Sequence, residues 1–128
     1  MKPIRGTVNF VELIGWLGND PELRYTPSGV AVAEFSIGTK RPANRNEDGS
    51  WNYDTDWIDV VAWDQLAENV ATNLRKGRRV RVTGSLKTDT WEDRDGHHRK
   101  RITVRADDII FLDTRTTLDE ATVDDASV

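Results

Sequence analysis

The stretch DWIDVVAWDQLAENVATNLRKG, running from Asp56 to Gly77, decides how this chain folds. Its first eight residues alternate. Ile58, Val60 and Ala62 share one parity while Trp57, Asp59, Val61 and Trp63 share the other, the period of a β-strand with one aliphatic face. The period then changes. Leu66, Val70 and Leu74 recur every four residues, which predicts a short helix over about 65–76. Asp64 is its expected N-cap, Arg75 and Lys76 are expected in its last turn, and Gly77 supplies the stop.

Working outward, residues 78–91 read as a strand with Val80, Val82, Gly84 and Leu86 inward. Asp95-Gly96 marks a hairpin tip, and the return strand from Arg99 places Ile102, Val104 and Ala106 inward, with Ile109 to Leu112 extending or closing it. Upstream, Val8 to Leu17 is extended, with Val11, Leu13, Gly15 and Leu17 on one parity. Gly18-Asn19-Asp20-Pro21 breaks it, and Thr26-Pro27-Ser28-Gly29 is a second turn. Residues 30–39 form a strand with Ala31, Ala33, Phe35 and Ile37 on one face. Residues 40–55 read as a polar loop, long enough to expect function or mobility. Alternation alone says only that this is a small β-barrel. Three strands, one helix and two strands specify more: an all-β OB-fold, a five-stranded Greek-key barrel with one short helix between strands 3 and 4.

The chain has 128 residues, enough for one modest core, expected over residues 1–112. It has no cysteine, which excludes disulfides, zinc-thiolate sites and cysteine nucleophiles and suits a reducing cytosol. No apolar run approaches the ~20 residues of a membrane helix. Met1-Lys-Pro-Ile-Arg-Gly6 lacks the apolar core of a secretory signal, so a cytoplasmic location is expected, with no membrane partner. The formal charge is −4, but it is segregated. Residues 113–128 carry five acids and one base and are expected to form a short acidic disordered tail. Residues 75–105 hold eleven bases against four acids, a local +7 within a neutral remainder. A salt-laced solvated hairpin would produce the same count, so charge by itself does not identify a partner.

The aromatic positions carry more. A core would not tolerate two indoles beside the carboxylate of Asp59 without a partner, so Trp57 and Trp63 are expected to project away from it. The following strand repeats the pattern: Arg79, Arg81, Thr83, Ser85, Lys87, Asp89 and Trp91 share the outward parity unless a bulge intervenes. A lone tryptophan more often belongs to a core or an interface. Three on polar parities, two of them in a mixed-charge face, favour a binding surface. Unpaired bases stack on indole at roughly 1–3 kcal/mol per base, whereas a duplex hides its base faces. Lysine and arginine neutralise phosphates, so affinity falls with salt. The stacking candidates are Trp57, Trp63 and Trp91, with Trp51 in the long loop as a weaker fourth. The phosphate candidates are Arg5, Lys40, Arg41, Arg79, Arg81, Lys87, Arg99 and Arg101. Trp16 shares parity with Phe10, Glu12 and Ile14 and is open to a subunit contact instead.

Catalytic constellations fail. His97 and His98 diverge as neighbours on a strand, and no third histidine completes a metal set. The carboxylates lack a paired, buried context. Gly15-Trp16-Leu17-Gly18 lacks the Lys-Ser/Thr of a phosphate loop. The expectation is a protein that is not an enzyme and uses no cofactor and no metal.

These residues resemble the bacterial-type single-stranded DNA-binding proteins over about residues 5–112. The resemblance rests on VELIGWLGNDPELRYTPSG (11–29), AVAEFSIGT (31–39), TDWIDVVAW (55–63), LAENVA (66–71), LRKG (74–77) and VTGSLKTDTW (82–91). It implies stacking by the aromatics at Trp57, Trp63 and Trp91, backbone contacts from loop and sheet bases, and a homotetramer wrapped by the strand. It also implies roles in DNA replication, repair and recombination. Two features depart from the family pattern. Thr39-Lys-Arg-Pro-Ala43 holds no aromatic where the family commonly has a further stacking tryptophan, a role open to Trp51. The ending Asp124-Asp-Ala-Ser-Val128 lacks the acidic Pro-Phe tip that recruits enzymes, so such recruitment is not expected. Two other functions fit the same fold: an accessory protein of replication restart that binds protein partners, and an RNA-binding domain. A Trp57→Ala, Trp91→Ala double variant with unchanged strand affinity marks the first. Preference for oligo-U over oligo-dT marks the second.

Overall fold

The computed structural model describes residues 5–112. In chain order it contains β1 (Val11–Leu17), β2 (Glu22–Tyr25), β3 (Ala31–Arg45), β4 (Trp51–Trp63), α1 (Asp64–Asn73), β5 (Arg79–Glu92) and β6 (His98–Phe111). The strands are ordered β1-β5-β6-β4-β3-β2, and a further pairing of β1 with β3 closes five of them into a barrel. Every pairing is antiparallel except β4 with β6, where Val60 faces Val104 and Val61 faces Arg105. The expected OB-fold is therefore present. The helix lies between the fourth and fifth strands, one place later than expected, because Glu22–Tyr25 forms a short extra strand on the edge of β3. That segment is exposed on both faces and carries no alternation to reveal it.

The polar turn between β1 and β2 is a built joint. Gly18 N–H donates to Ser36 O at 3.0 Å, and the Asn19 carboxamide oxygen accepts from Ser36 N (3.0 Å) and Ser36 Oγ (2.9 Å). The Asp20 carboxylate accepts from Lys76 N at 2.8 Å, and Gly77 N donates to Leu17 O at 2.8 Å. These bonds tie the end of β1 to β3 and to the exit from the helix.

The inward parities of β3 and β4 meet as expected: Ala31, Ala33, Phe35 and Ile37 with Val60 and Ala62. Val80 and Val82 of β5 and Val104 of β6 complete the barrel wall, and Ala67 and Val70 of α1, with Leu74 just past its end, close one end. Each fully buried valine or leucine contributes roughly 1.5–3 kcal/mol of burial. Among the described residues no helix is long and apolar enough to cross a membrane.

Four expectations are corrected. The loop over 40–55 is mostly a hairpin arm: β3 runs on to Arg45 and β4 starts at Trp51, joined by a tight turn in which Asn46 N donates to Ser50 O at 2.7 Å. Its residues are largely exposed, so no core-facing period marks it. Asp64 does not cap the helix. Trp63 occupies the N-cap position without a side-chain hydrogen bond, and Asp64 turns the chain with φ of 58°. The helix ends at Asn73, leaving Arg75 and Lys76 outside its last turn, although Arg75 Nη1 still donates to Ala71 O (2.9 Å) and Leu74 O (2.7 Å). Leu86 and Ile102 are about half exposed rather than inward: Leu86 faces the buried Val104 at the rim of the barrel, and Ile102 lies two residues further out along β6. The tail over 113–128 lies outside the described residues.

A bulge falls where Thr83 pairs with Asp108 and Gly84 with Ala106, leaving Asp107 extra on β6. It shifts the parity of β6, so Ala106 and Ile109 both reach the core. The outward parity of β5 continues unbroken to Trp91.

Candidate nucleic-acid interface

Along β4, Trp51, Tyr53, Thr55, Trp57, Asp59, Val61 and Trp63 alternate away from the core, since the irregularity beside Pro42–Arg45 falls on β3. Trp57 is 54% exposed, yet its ring is seated. A Cβ added to Gly18 would stand 2.5 Å from Trp57 Cζ3 and 2.7 Å from Ser36 Oγ, and one added to Gly38 would stand 2.8 Å from Trp57 Cζ3. The six-membered ring of the indole thus lies against two residues without side chains, while about half of the residue stays exposed. Trp16 meets its edge at a centroid distance of 6.2 Å and an interplanar angle of 83°. Lys40 Nζ stands 5.7 Å from the Trp16 ring centroid, within cation–π range. Sequence reasoning undervalued Trp16; its pairing opposite Gly38 explains why it joins Trp57. It also missed Tyr53, 58% exposed on the same parity as Trp57, because the arm was read as a loop.

Trp63 lies at the far end of β4, six residues or about 20 Å from Trp57. Arg105 stands 5.6 Å from its ring centroid. A shallow groove beside it is lined by Arg24, Glu34, Val61, Lys87, Asp89, Arg101, Thr103 and Arg105. Trp91 is half exposed on the hairpin, paired across from Arg99. Trp51 is half exposed on the other arm, with Arg45 at 5.9 Å from its ring centroid.

The basic candidates divide by partner. Arg101 Nη2 donates to Glu34 and to Asp59 Oδ2 (3.1 Å), and Arg24 Nη1 reaches Glu34 Oε2 at 3.4 Å. Lys87 pairs with Asp89. Arg41 Nε donates to both oxygens of Asp56 at 3.0–3.1 Å, and Arg99 Nε donates to Asp93 Oδ2 at 2.8 Å. Arg81 pairs with Glu12, and Arg79 lies opposite Trp16, both on the β1 side of the sheet. Arg5 is exposed in a turn ahead of β1. Arg105, absent from the candidates, lines the groove.

The hydrogen bond from Arg101 holds the Glu34 carboxyl below its ordinary pKa against the opposing effect of burial, and the same bond raises Arg101. At the tip of the β5–β6 hairpin, Asp93, Asp95 and His97 bring ligand-type atoms within 4.8 Å of one another. Asp93 Oδ1 accepts from Asp95 N (3.0 Å) and His97 N (2.9 Å), so the cluster is explained as a turn lock. The His97 N–H, then Arg99, lower the Asp93 pKa.

A face of this kind offers flat aromatic surfaces and cations together. Residues 8–112 match the model of the single-strand binding protein family. A single-stranded DNA-binding protein of Oceanobacillus iheyensis is 44% identical over 108 residues, covering 84% of this chain and 65% of the relative. One from Caldanaerobacter subterraneus is 44% identical over 110 residues, covering 85% of this chain and 71% of the relative. The chain thus spans just under two thirds of the first relative and somewhat more of the second. Among solved structures, a Plasmodium falciparum SSB in complex with ssDNA superposes with a TM-score of 0.75 at 31% identity, covering 86% of this chain and 99% of that one.

Proposed function

The chain belongs to the single-strand binding protein family, and from that membership we propose that it binds single-stranded DNA without sequence preference, by base stacking and phosphate contact. The observation that carries the reading is Trp57: a ring seated against Gly18 and Gly38 that still leaves the residue 54% exposed, with Trp16 and its Lys40 contact alongside. Stacking on such a ring tolerates any base. Trp63, Trp91 and Trp51 are the further stacking positions. Lys40 and Arg105, together with Arg5, Arg41, Arg79, Arg81, Lys87, Arg99 and Arg101, supply the charge that holds phosphates. The protein performs no chemistry, acts in the cytoplasm, and covers unpaired strands during replication, repair and recombination.

Its assembly is a homotetramer. The register places Ile14 and Ile110 on either side of Arg81, both more than 40% exposed, and Phe10 adds to this apolar surface. Sedimentation equilibrium should return four times the 14.5 kDa chain mass; a monomer at micromolar concentration contradicts the assembly.

The binding test is tryptophan fluorescence titrated with oligo-dT and with duplex DNA at two salt concentrations. Quenching by oligo-dT that weakens with salt, and much weaker quenching by duplex, is expected. No quenching at low salt, or equal response to duplex, overturns the proposal.

A further inference from the structure

The charges between the two indoles of β4 form a bar across the face. Arg24 on β2 reaches Glu34 on β3, Glu34 is bonded by Arg101 on β6, and Arg101 also donates to Asp59 on β4. The bar spans β4 beside Val61, the outward residue between Asp59 and Trp63. A DNA strand that stacks on both Trp57 and Trp63 and follows β4 between them must cross it. There its phosphates meet two carboxylates, Glu34 and Asp59, already bonded to the best-placed guanidinium. A third carboxylate, Asp89, holds Lys87 in the same groove.

Resting on the proposed binding of single-stranded DNA, we propose that Glu34, Asp59 and Asp89 are resident counterions of the groove. They occupy the sites on Arg101, Arg24 and Lys87 that phosphates take when a strand enters. Binding is then an exchange of carboxylate for phosphate rather than the filling of empty cation sites. Glu34 suits this part: it is the least exposed member of the bar, stays ionised because of Arg101, and has both carboxylate oxygens engaged. The exchange has two consequences. Affinity is held below the value the same bases would reach unpaired. Each displaced carboxylate draws a cation from solution, offsetting one released from the DNA, so net ion release per bound strand is smaller than the basic count suggests and the salt dependence is shallow. Each phosphate neutralised on a single strand steepens log K against log[salt] by about 0.7.

The test uses the whole chain and oligo-dT, titrated by tryptophan quenching across a series of NaCl concentrations. Glu34→Gln and, separately, Asp89→Asn keep side-chain size and remove the charge. Each variant should bind about two- to fivefold tighter at moderate salt, the scale of one partly exposed ion pair. Each should also steepen the salt slope by up to about 0.7. A merely structural carboxylate would not steepen the slope. If wild type binds and neither variant steepens its slope, or both bind more weakly, the counterion role is wrong while strand binding stands. If wild type itself fails to bind oligo-dT, the underlying function is wrong. Asp89 lies outside the Glu34 bar, so Asp89→Asn decides the matter should Glu34→Gln fail to fold.

Discussion

Replacing Gly18 with alanine places a methyl group under the ring of Trp57. The added carbon would stand 2.5 Å from Cζ3 and 3.0 Å from Cε3 of that indole, and 2.7 Å from Ser36 Oγ. Carbon atoms rest at about 3.5–4.0 Å, so the ring must retreat by about 1 Å or tip on its edge. Gly18 itself has a φ outside the left-handed region, so its backbone accepts alanine and the strain falls on the indole and on Ser36. Ser36 Oγ also donates to Asn19, which limits how far it can yield. Complete loss of a stacking aromatic costs roughly 1–3 kcal/mol per base. A displaced ring should forfeit about half of that, ~0.5–1.5 kcal/mol, or about two- to thirteenfold in affinity for oligo-dT. Because the ring is a surface group, the stability cost should fall at the low end of overpacking, about 1 kcal/mol. A double-mutant cycle isolates the mechanism: Gly18→Ala should weaken binding in the wild-type background and do almost nothing once Trp57 is alanine. Wild-type affinity in Gly18→Ala, or additive losses in the pair, would refute the reasoning that Gly18 acts by seating Trp57.

Single alanine variants of Trp57, Trp63 and Trp91 should each weaken oligo-dT binding by roughly 1–3 kcal/mol in fluorescence or anisotropy titrations; a variant at wild-type affinity removes that residue from the stacking set. Gly84→Ala should lower the melting temperature with a cost of about 1–3 kcal/mol or more, since its Cβ would collide with the Arg105 carbonyl, a backbone group that cannot swing aside; an unchanged melt contradicts the bulge geometry. The depressed Glu34 carboxyl contributes stability that is fully present above its ordinary pKa of 4.5 and is lost as pH falls through the lower folded value. Thermal melts from pH 6 to pH 3 should therefore lose more stability in wild type than in Glu34→Gln, and parallel curves would contradict that linkage.

The face that matters was legible where one side of a strand is buried. Ile58, Val60 and Ala62 had to be apolar to fill the barrel, so the tryptophans of the opposite parity were exposed by elimination. The helix was legible for the same reason, through Val70 and Leu74 against the barrel end. Where burial stops, the signal stops. The arm from Lys40 to Thr55 is largely exposed on both sides, so its strands were hidden, and with them the place of Tyr53 on the parity of Trp57. Leu86 and Ile102 follow the inward pattern out to the rim of the barrel, where each is about half exposed, so the pattern misplaces them. Basic residues were easy to count and hard to weigh. Arg41, Arg81 and Arg101 are each held by a carboxylate on a paired or crossing strand, which only register reveals, while Lys87 and Arg99 are held by Asp89 and Asp93 nearby in sequence. Trp16 gains its place beside Trp57 from the closure of β1 on β3, a contact far apart in sequence.

The central claim is that bases lie on the open indole faces of β4. Indole N–H resonances report it residue by residue, because a stacked base shifts the ring beneath it. Among the five tryptophans, those of Trp57 and Trp63 should move progressively as oligo-dT is added and return as salt rises. Strand binding with both of these resonances stationary would contradict the account.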